Sequence, residues 1–160
     1  MPSMSSSLRS TCHLLHGPAD QYIKVPASGV AVQVSDEIRT QPFLGSTFYV
    51  SDLVEPPLGF FSYAFVGDEE LLGRKCKLVE VKPKKPGEEI YGRTVLALDP
   101  NDLLILRRQF YDKDDKLAKV WTIEKVDKVD GHWTILEQKM ENVKDKTVSE
   151  LDVESIKYGA

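Results

Sequence analysis

From Tyr91 onward the chain is a regular succession of strand-length runs cut by turn residues, a pattern that commits it to antiparallel sheet. Tyr91–Leu98, Leu103–Tyr111, Leu117–Val129, His132–Val143 and Thr147–Tyr158 read as strands. Between them stand Asp99-Pro100-Asn101-Asp102, Asp112–Lys116, the two-residue hairpin signal Asp130-Gly131, and Asp145-Lys146. Upstream, Gln21–Val25, Val30–Val34, Phe60–Val66 and Lys75–Lys82 carry the same character, and Phe61, Tyr63 and Phe65 fall on one face of their strand. Asp68-Glu69-Glu70 reads as an acidic break, and Pro83–Glu89 as a loop. The stretch Phe43–Pro57 reads as loop plus one turn of helix, capped by Ser51 or Asp52.

Hairpin geometry assigns faces. If Asp130-Gly131 is the whole loop, Val129 lies opposite His132, Lys125 opposite Leu136 and Trp121 opposite Met140, with Ile123 sharing the face of Trp121. If Asp145-Lys146 is likewise the whole loop, Met140 faces Leu151. Trp121, Ile123, Leu136, Met140, Leu151 and Val153 then form one continuous apolar face. The parity of Leu103–Tyr111 stays open, because the turn after it fits either register.

That face needs a cover, and the sequence offers almost no amphipathic helix of the ~10–12 residues that could lie across a sheet. Two solutions stand side by side: a sheet closed into a barrel with an ordinary core, or an open sheet whose apolar face takes a ligand or partner. The length of 160 residues suits a single domain spanning 1–160, with residues 1–7 too small and polar to pack. With 21 basic residues against 25 acidic, the two signs interspersed, a nucleic-acid partner is not expected. No apolar run approaches the ~20 residues that span a bilayer. A basic start, an apolar segment and a small-residue cleavage site do not stand together near Met1, so the chain as given reads as lacking an export signal. Cys12 and Cys76 could bridge or remain two thiols.

Catalytic signatures are thin. CxxC, HExxH, a glycine-rich phosphate loop and GxSxG are all missing, so no catalytic residue, metal or cofactor is expected. His13 and His16 fall on opposite faces of a strand, and His132 sits beside a hairpin tip. Asp112-Lys113-Asp114-Asp115-Lys116 lacks the glycine and distal glutamate of a calcium loop and reads as a tight turn. Lys82, Lys84 and Lys85 form a basic run that reads as a solvated loop or a contact for anionic headgroups. Arg107, in an apolar strand, is either the contact for an anionic ligand head or a rim arginine paired with a carboxylate.

The string Phe43-Leu44-Gly45-Ser46-Thr47-Phe48-Tyr49-Val50-Ser51-Asp52-Leu53 resembles the FxGSxFxxxDL signature of the LolA-like outer-membrane lipoprotein-sorting proteins. Tyr22-Ile23-Lys24-Val25-Pro26, the Cys76–Val81 strand, Tyr111–Val120, Met140-Glu141-Asn142 and Lys146-Thr147 resemble further motifs of that family in consistent order, over about residues 19–158. The resemblance implies a mainly β fold: a curved antiparallel meander, an unclosed half-barrel, with one or two short helical turns. It also implies a periplasmic, non-enzymatic protein whose concave face takes acyl chains beneath a movable lid, for which Gly45-Ser46 and Pro56-Pro57 are candidates. The family's N-terminal part and signal peptide are missing from the sequence as given, which leaves an unpaired edge strand near residues 8–15 or 20–25 through which the chain could self-associate.

Two functional readings follow. In the first, the chain shields a lipid or lipoprotein acyl chain, with Phe61, Tyr63, Phe65, Trp121, Ile123, Leu136, Met140, Leu151 and Val153 as the acyl-binding face and Arg107 at an anionic head. In the second, the same fold senses lipid or docks onto a membrane transporter or envelope signalling protein through exposed loop residues such as Lys84, Lys85 and Asp52.

Overall fold

A computed structural model describes residues 13–16, 21–25, 30–33, 41–42, 45–49, 52, 58–85 and 89–158. Ten strands in two antiparallel sheets account for most of them. Strands β1 (His13–His16), β2 (Gln21–Val25) and β3 (Val30–Gln33) form a three-stranded sheet in that order. The larger sheet has seven strands, each hydrogen-bonded to its neighbour in sequence: β4 (Phe61–Leu71), β5 (Arg74–Pro83), β6 (Arg93–Asp99), β7 (Leu104–Tyr111), β8 (Leu117–Val129), β9 (His132–Asn142) and β10 (Thr147–Asp152). It is an unclosed meander whose edges are β4 and β10.

Several expectations are corrected. The strands form two sheets rather than one, and residues 21–25 are the centre of the smaller sheet, bonded on both sides, not an edge. The short helical turns are cut back: the helical element whose bounds are delineated among the described residues is a three-residue 3₁₀ turn at Leu58–Phe60, and α-helical backbone is limited there to the single residue Asp52. The turn expected over Ser51–Glu55 lies outside the described residues except for Asp52. Asp68-Glu69-Glu70 does not interrupt β4. Charges are tolerated within an edge strand, and here each acid lies opposite a β5 residue, Asp68 pairing with Lys77 through a 2.5 Å ion pair. The last strand ends at Asp152 rather than Tyr158.

Register follows the turns, then departs from them at bulges. Asp130 (φ 51°) and Gly131 (φ 78°) form the two-residue loop expected of a type I′ hairpin, placing Val129 opposite His132 and Trp121 opposite Met140. Between these points the ladder slips and is restored, so Lys125 faces Glu137 instead of Leu136. The β9–β10 connection runs over Val143–Lys146, putting Ser149 opposite Met140 and Leu151 opposite Gln138. That shift is two residues, and because side chains alternate with period two, Leu151 keeps the face of Met140. Further irregularities lie at Phe65/Gly67, Phe110/Tyr111 and in β7 beside Ala97/Leu98, where Leu106 is passed over between Ile105 and Arg107. Bulges bend and twist the strands that carry them.

The bend is visible in contacts that a flat sheet could not make. The Arg74 guanidinium on β5 lies 4.4 Å from the ring centroid of Trp133 on β9. Four strand spacings of about 4.8 Å would separate them in a flat sheet. Arg107 on β7 meets Glu69 on β4, two strands intervening, with Nη1 donating to Oε1 at 2.9 Å and Nη2 to Oε2. On the inner side of this half-barrel, Cys76, Ala97, Leu106 and Ile123 form one buried cluster and Phe48, Phe110 and Met140 a second. Trp121 packs against both and joins them.

Candidate functional site

The second cluster is built partly from outside the sheet. Residues 45–49 and Asp52 form a strap, closed on itself by a bridge between Pro42 and Tyr49 and starting from Gly45, whose φ of 72° suits glycine. The Ser46 hydroxyl accepts the Phe48 N–H at 3.2 Å, and the Thr47 N–H donates to Ser149 Oγ on β10 at 2.8 Å. Phe48 is thereby driven onto the sheet and fully buried, its ring edge-on to Trp121 with centroids 5.3 Å apart. Tyr91 stacks on Phe110 at 4.6 Å, and Trp121 Nε1–H donates to Gln138 Oε1 at 2.9 Å, so the half-buried indole keeps its hydrogen bond.

A charged anchor holds the strap. Lys119 Nζ donates to Asp52 Oδ2 at 3.3 Å and to the Thr47 carbonyl at 2.7 Å, and sits 3.3 Å from the centroid of the Tyr49 ring. Asp52 also accepts the Tyr49 N–H at 2.7 Å and the Tyr91 hydroxyl at 2.9 Å. Burial lowers the Lys119 ammonium below its ordinary range, against the opposing pull of Asp52; burial, then Asp52, raises the Tyr91 phenol well above its own. Asp52 is therefore no exposed loop residue; its side chain is fully buried.

The residues expected on one apolar face are only partly brought together. Ile123 and Met140 are buried in the two clusters, Trp121 joins them, and Leu151 packs against the second. Leu136 sits at the β9 irregularity, its carbonyl accepting the N–H of Val153 just beyond β10 at 2.8 Å. Phe61, Tyr63 and Phe65 pair with Pro83, Val81 and Val79, whereas Cys76 and Leu78 have the opposite parity on β5. The three aromatics thus occupy the other face, with Phe61 partly buried and Tyr63 and Phe65 exposed. Arg107 is paired with Glu69, and its Nε is buried with no hydrogen-bond partner. Sequence reasoning overlooked Phe48, Phe110 and Leu106 as core and Lys119 as an anchor. Its signal was legible: Lys119 shares the parity of Trp121 and Ile123.

Other candidates resolve into structure. Asp112 Oδ1 accepts the N–H groups of Asp114 and Lys116, each at 2.9 Å, and organises the turn that a calcium loop would have occupied. Cys76 is a free, buried thiol whose pKa burial raises, while Cys12 lies outside the described residues. The ring of His132 stacks on Tyr158 at 4.5 Å. Among the described residues, no three His, Cys, Asp or Glu side chains gather to hold a metal. An open polar cleft of about 490 Å³ lies beside Glu80, Arg93, Asp112 and Asp115 and is lined by none of the residues of either cluster.

Comparisons with known proteins agree with this architecture. A family described as "-like: Uncharacterized protein" matches residues 6–160. Among solved structures, an outer membrane lipoprotein-sorting protein domain from Vibrio parahaemolyticus superposes with a TM-score of 0.72 at 25% identity, over 88% of this chain and 60% of that one. A DUF1329 family protein from Desulfovibrio piger gives 0.69 at 28% identity, over 83% and 56%. A LolA superfamily protein from Nitrosomonas europaea gives 0.63 at 18% identity over 88% and 63%, a likeness of fold alone. The chain therefore spans 56–63% of the length of these structures. No curated protein matches the sequence.

Proposed function

The chain belongs to the family whose model covers residues 6–160 and has the fold of LolA-superfamily lipoprotein-sorting domains, and from that premise we propose that it is a non-enzymatic carrier that shields the acyl chains of a lipid or lipoprotein in the bacterial envelope. The observation that carries this reading is Phe48. A side chain from outside the sheet fills the space between Trp121, Phe110 and Met140, as a stopper fills a site that takes an apolar ligand. An acyl chain entering there displaces Phe48 and gains about 0.8 kcal/mol for each methylene removed from water. The strap leaves with Phe48, while Trp121, Ile123, Met140 and Leu151 stay as the floor. Arg107, beside the first cluster, offers its unpartnered Nε–H to an anionic head. An envelope location and a membrane-bound donor or acceptor follow from the same reading.

Native mass spectrometry after incubation with a tripalmitoylated lipopeptide tests it. A discrete one-to-one adduct, lost in Met140→Glu while the fold persists by circular dichroism, is the expected result. A bare monomer, or an adduct indifferent to Met140→Glu, overturns the reading.

A further inference from the structure

Phe60-Phe61-Ser62-Tyr63-Ala64-Phe65-Val66 is a near-palindrome about Tyr63: outward in either direction come a small residue, a phenylalanine and another large apolar residue. From Phe61 this segment is the first half of β4, an edge of the seven-stranded sheet. Phe60, Tyr63, Phe65 and Val66 are each 47–62% exposed, and Ser62 and Ala64 are exposed between them, so the sheet covers this half of the strand on neither face. The charges of β4, Asp68, Glu69 and Glu70, all lie beyond the bulge at Phe65/Gly67.

Sheets blunt an edge by keeping it short, charging it or covering it with a loop. The opposite edge does all three. Strand β10 has six residues, includes Glu150 and Asp152, and meets the strap where Ser149 Oγ accepts the Thr47 N–H at 2.8 Å. Among the described residues, the first half of the eleven-residue β4 has none of these protections. Its backbone is also turned the right way. The Phe60 carbonyl accepts the Lys84 N–H at 2.9 Å, and Pro83, which has no N–H, stands opposite Phe61. Backbone groups alternate along an antiparallel ladder, so Ser62 and Ala64 turn theirs to β5, while Phe61, Tyr63 and Phe65 turn theirs to the edge.

The geometry points to a second copy of this chain as the occupant of that edge, the two β4 strands pairing antiparallel about a two-fold axis at Tyr63. Tyr63 then faces Tyr63 of the second copy, and Phe61 faces its Phe65, in pairs that exchange about six main-chain hydrogen bonds. Ser62 faces Ala64, and Phe60 meets Val66 just beyond the ladder. Aromatic residues directly opposite one another stabilise a pair of strands, whereas like charges opposite one another destabilise it. Here Asp68 falls opposite Leu58, with Glu69 and Glu70 further out, so no acid meets another. Two-fold pairing uses up the edge, and assembly stops at two copies. The contact is short, so the dimer belongs to the weak, concentration-dependent class. The strap meets β10 at the far edge of the sheet, and this inference does not rest on the proposed carriage of acyl chains.

Sedimentation equilibrium of the full chain over roughly 1–200 μM, where weak dimers dissociate, tests it. The mass of the native protein should rise from 18.0 kDa toward twice that value. Tyr63→Lys and Tyr63→Glu should each keep the native melting temperature and weaken the dimer at least tenfold. An equimolar mixture of the two should regain it, because residue 63 meets its own counterpart across the axis. If Tyr63→Lys melts early, Phe65→Lys takes its place with the same expected loss. A native protein that stays monomeric throughout overturns the inference and leaves the edge to a different chain. So does a mass that climbs past two copies, a folded Tyr63→Lys that dimerises as the native protein does, or a mixture that stays monomeric. Loss of the dimer in Val148→Lys, at an exposed position of β10, would move the interface to the other edge and overturn it as well.

Discussion

Lys119 Nζ lies 3.3 Å from Asp52 Oδ2, with side-chain exposures of only 3% and 0%, and this pair fastens the strap to the sheet. Removing one partner of a buried pair strands the other, at a cost of about 3–5 kcal/mol, whereas replacing both with apolar residues of similar volume is often neutral. Asp52→Asn should therefore shift the urea midpoint sharply downward, and Asp52→Leu/Lys119→Met should recover most of the loss. If both proteins are equally destabilised, the anchor acts through the hydrogen bonds of Asp52 to the strap and not through its charge.

Alkaline unfolding should report Tyr91. Its pKa in the folded protein lies above the ordinary 10.0, so beyond that pH the unfolded chain loses a proton that the folded one keeps. Stability then falls with rising pH, by at most about 1.4 kcal/mol per pH unit for one group. Lys119 acts in the other direction. Its folded pKa lies below 10.5, so stability rises with pH through the interval under that value and is constant above it. Urea midpoints measured from pH 8 to 12 should decline above about pH 10.5, and Tyr91→Phe should flatten the decline. An unaltered slope would show that Tyr91 ionises freely.

Gly92 is fixed by proximity rather than by a left-handed backbone. A Cβ there would stand 2.8 Å from the Asp112 carbonyl oxygen and 3.3 Å from Lys113 Cα, backbone atoms of a turn that cannot swing aside. The Gly92 N–H also donates to the Tyr111 carbonyl at 2.9 Å. Gly92→Ala should cost about 1–3 kcal/mol, as overpacking does, and lower the melting temperature by roughly 2–4 °C per kcal/mol. A melting temperature unchanged within one degree would show that the Asp112 turn yields.

How far the sequence disclosed this architecture depended on how locally each feature is encoded. Leu117–Val129 and the pairings of Val129 with His132 and Trp121 with Met140 were readable because Asp130-Gly131 fixes a hairpin of known length. The slip at Lys125 was not, since no Gly or Pro marks that bulge. The separation of Phe61, Tyr63 and Phe65 from the inner face depends on pairing with β5 across a hairpin whose tip, Leu72-Gly73, carries leucine where Asn or Asp would have announced it. The strap was hidden for a different reason. Thr47 and Ser149, or Asp52 and Lys119, meet only once the sheet has folded, and no period or spacing links residues that far apart.

Phe48 joins stability to the proposed carriage of acyl chains. Truncating a fully buried phenylalanine removes its transfer free energy and leaves a cavity, together worth about 3–5 kcal/mol. Phe48→Ala should therefore lower the urea midpoint. It should also leave an apolar opening between Trp121, Phe110 and Met140, lined by groups that an acyl chain can contact. If Phe48 is the residue that ligand displaces, its removal spares the ligand that competition, and the variant should form the tripalmitoylated adduct at lower lipopeptide concentration than the native protein. Native mass spectrometry across a lipopeptide titration, set beside urea denaturation of the same variant, reads both effects. A destabilised variant with weaker adduct formation would mean that Phe48 belongs to the binding surface and is not its occupant.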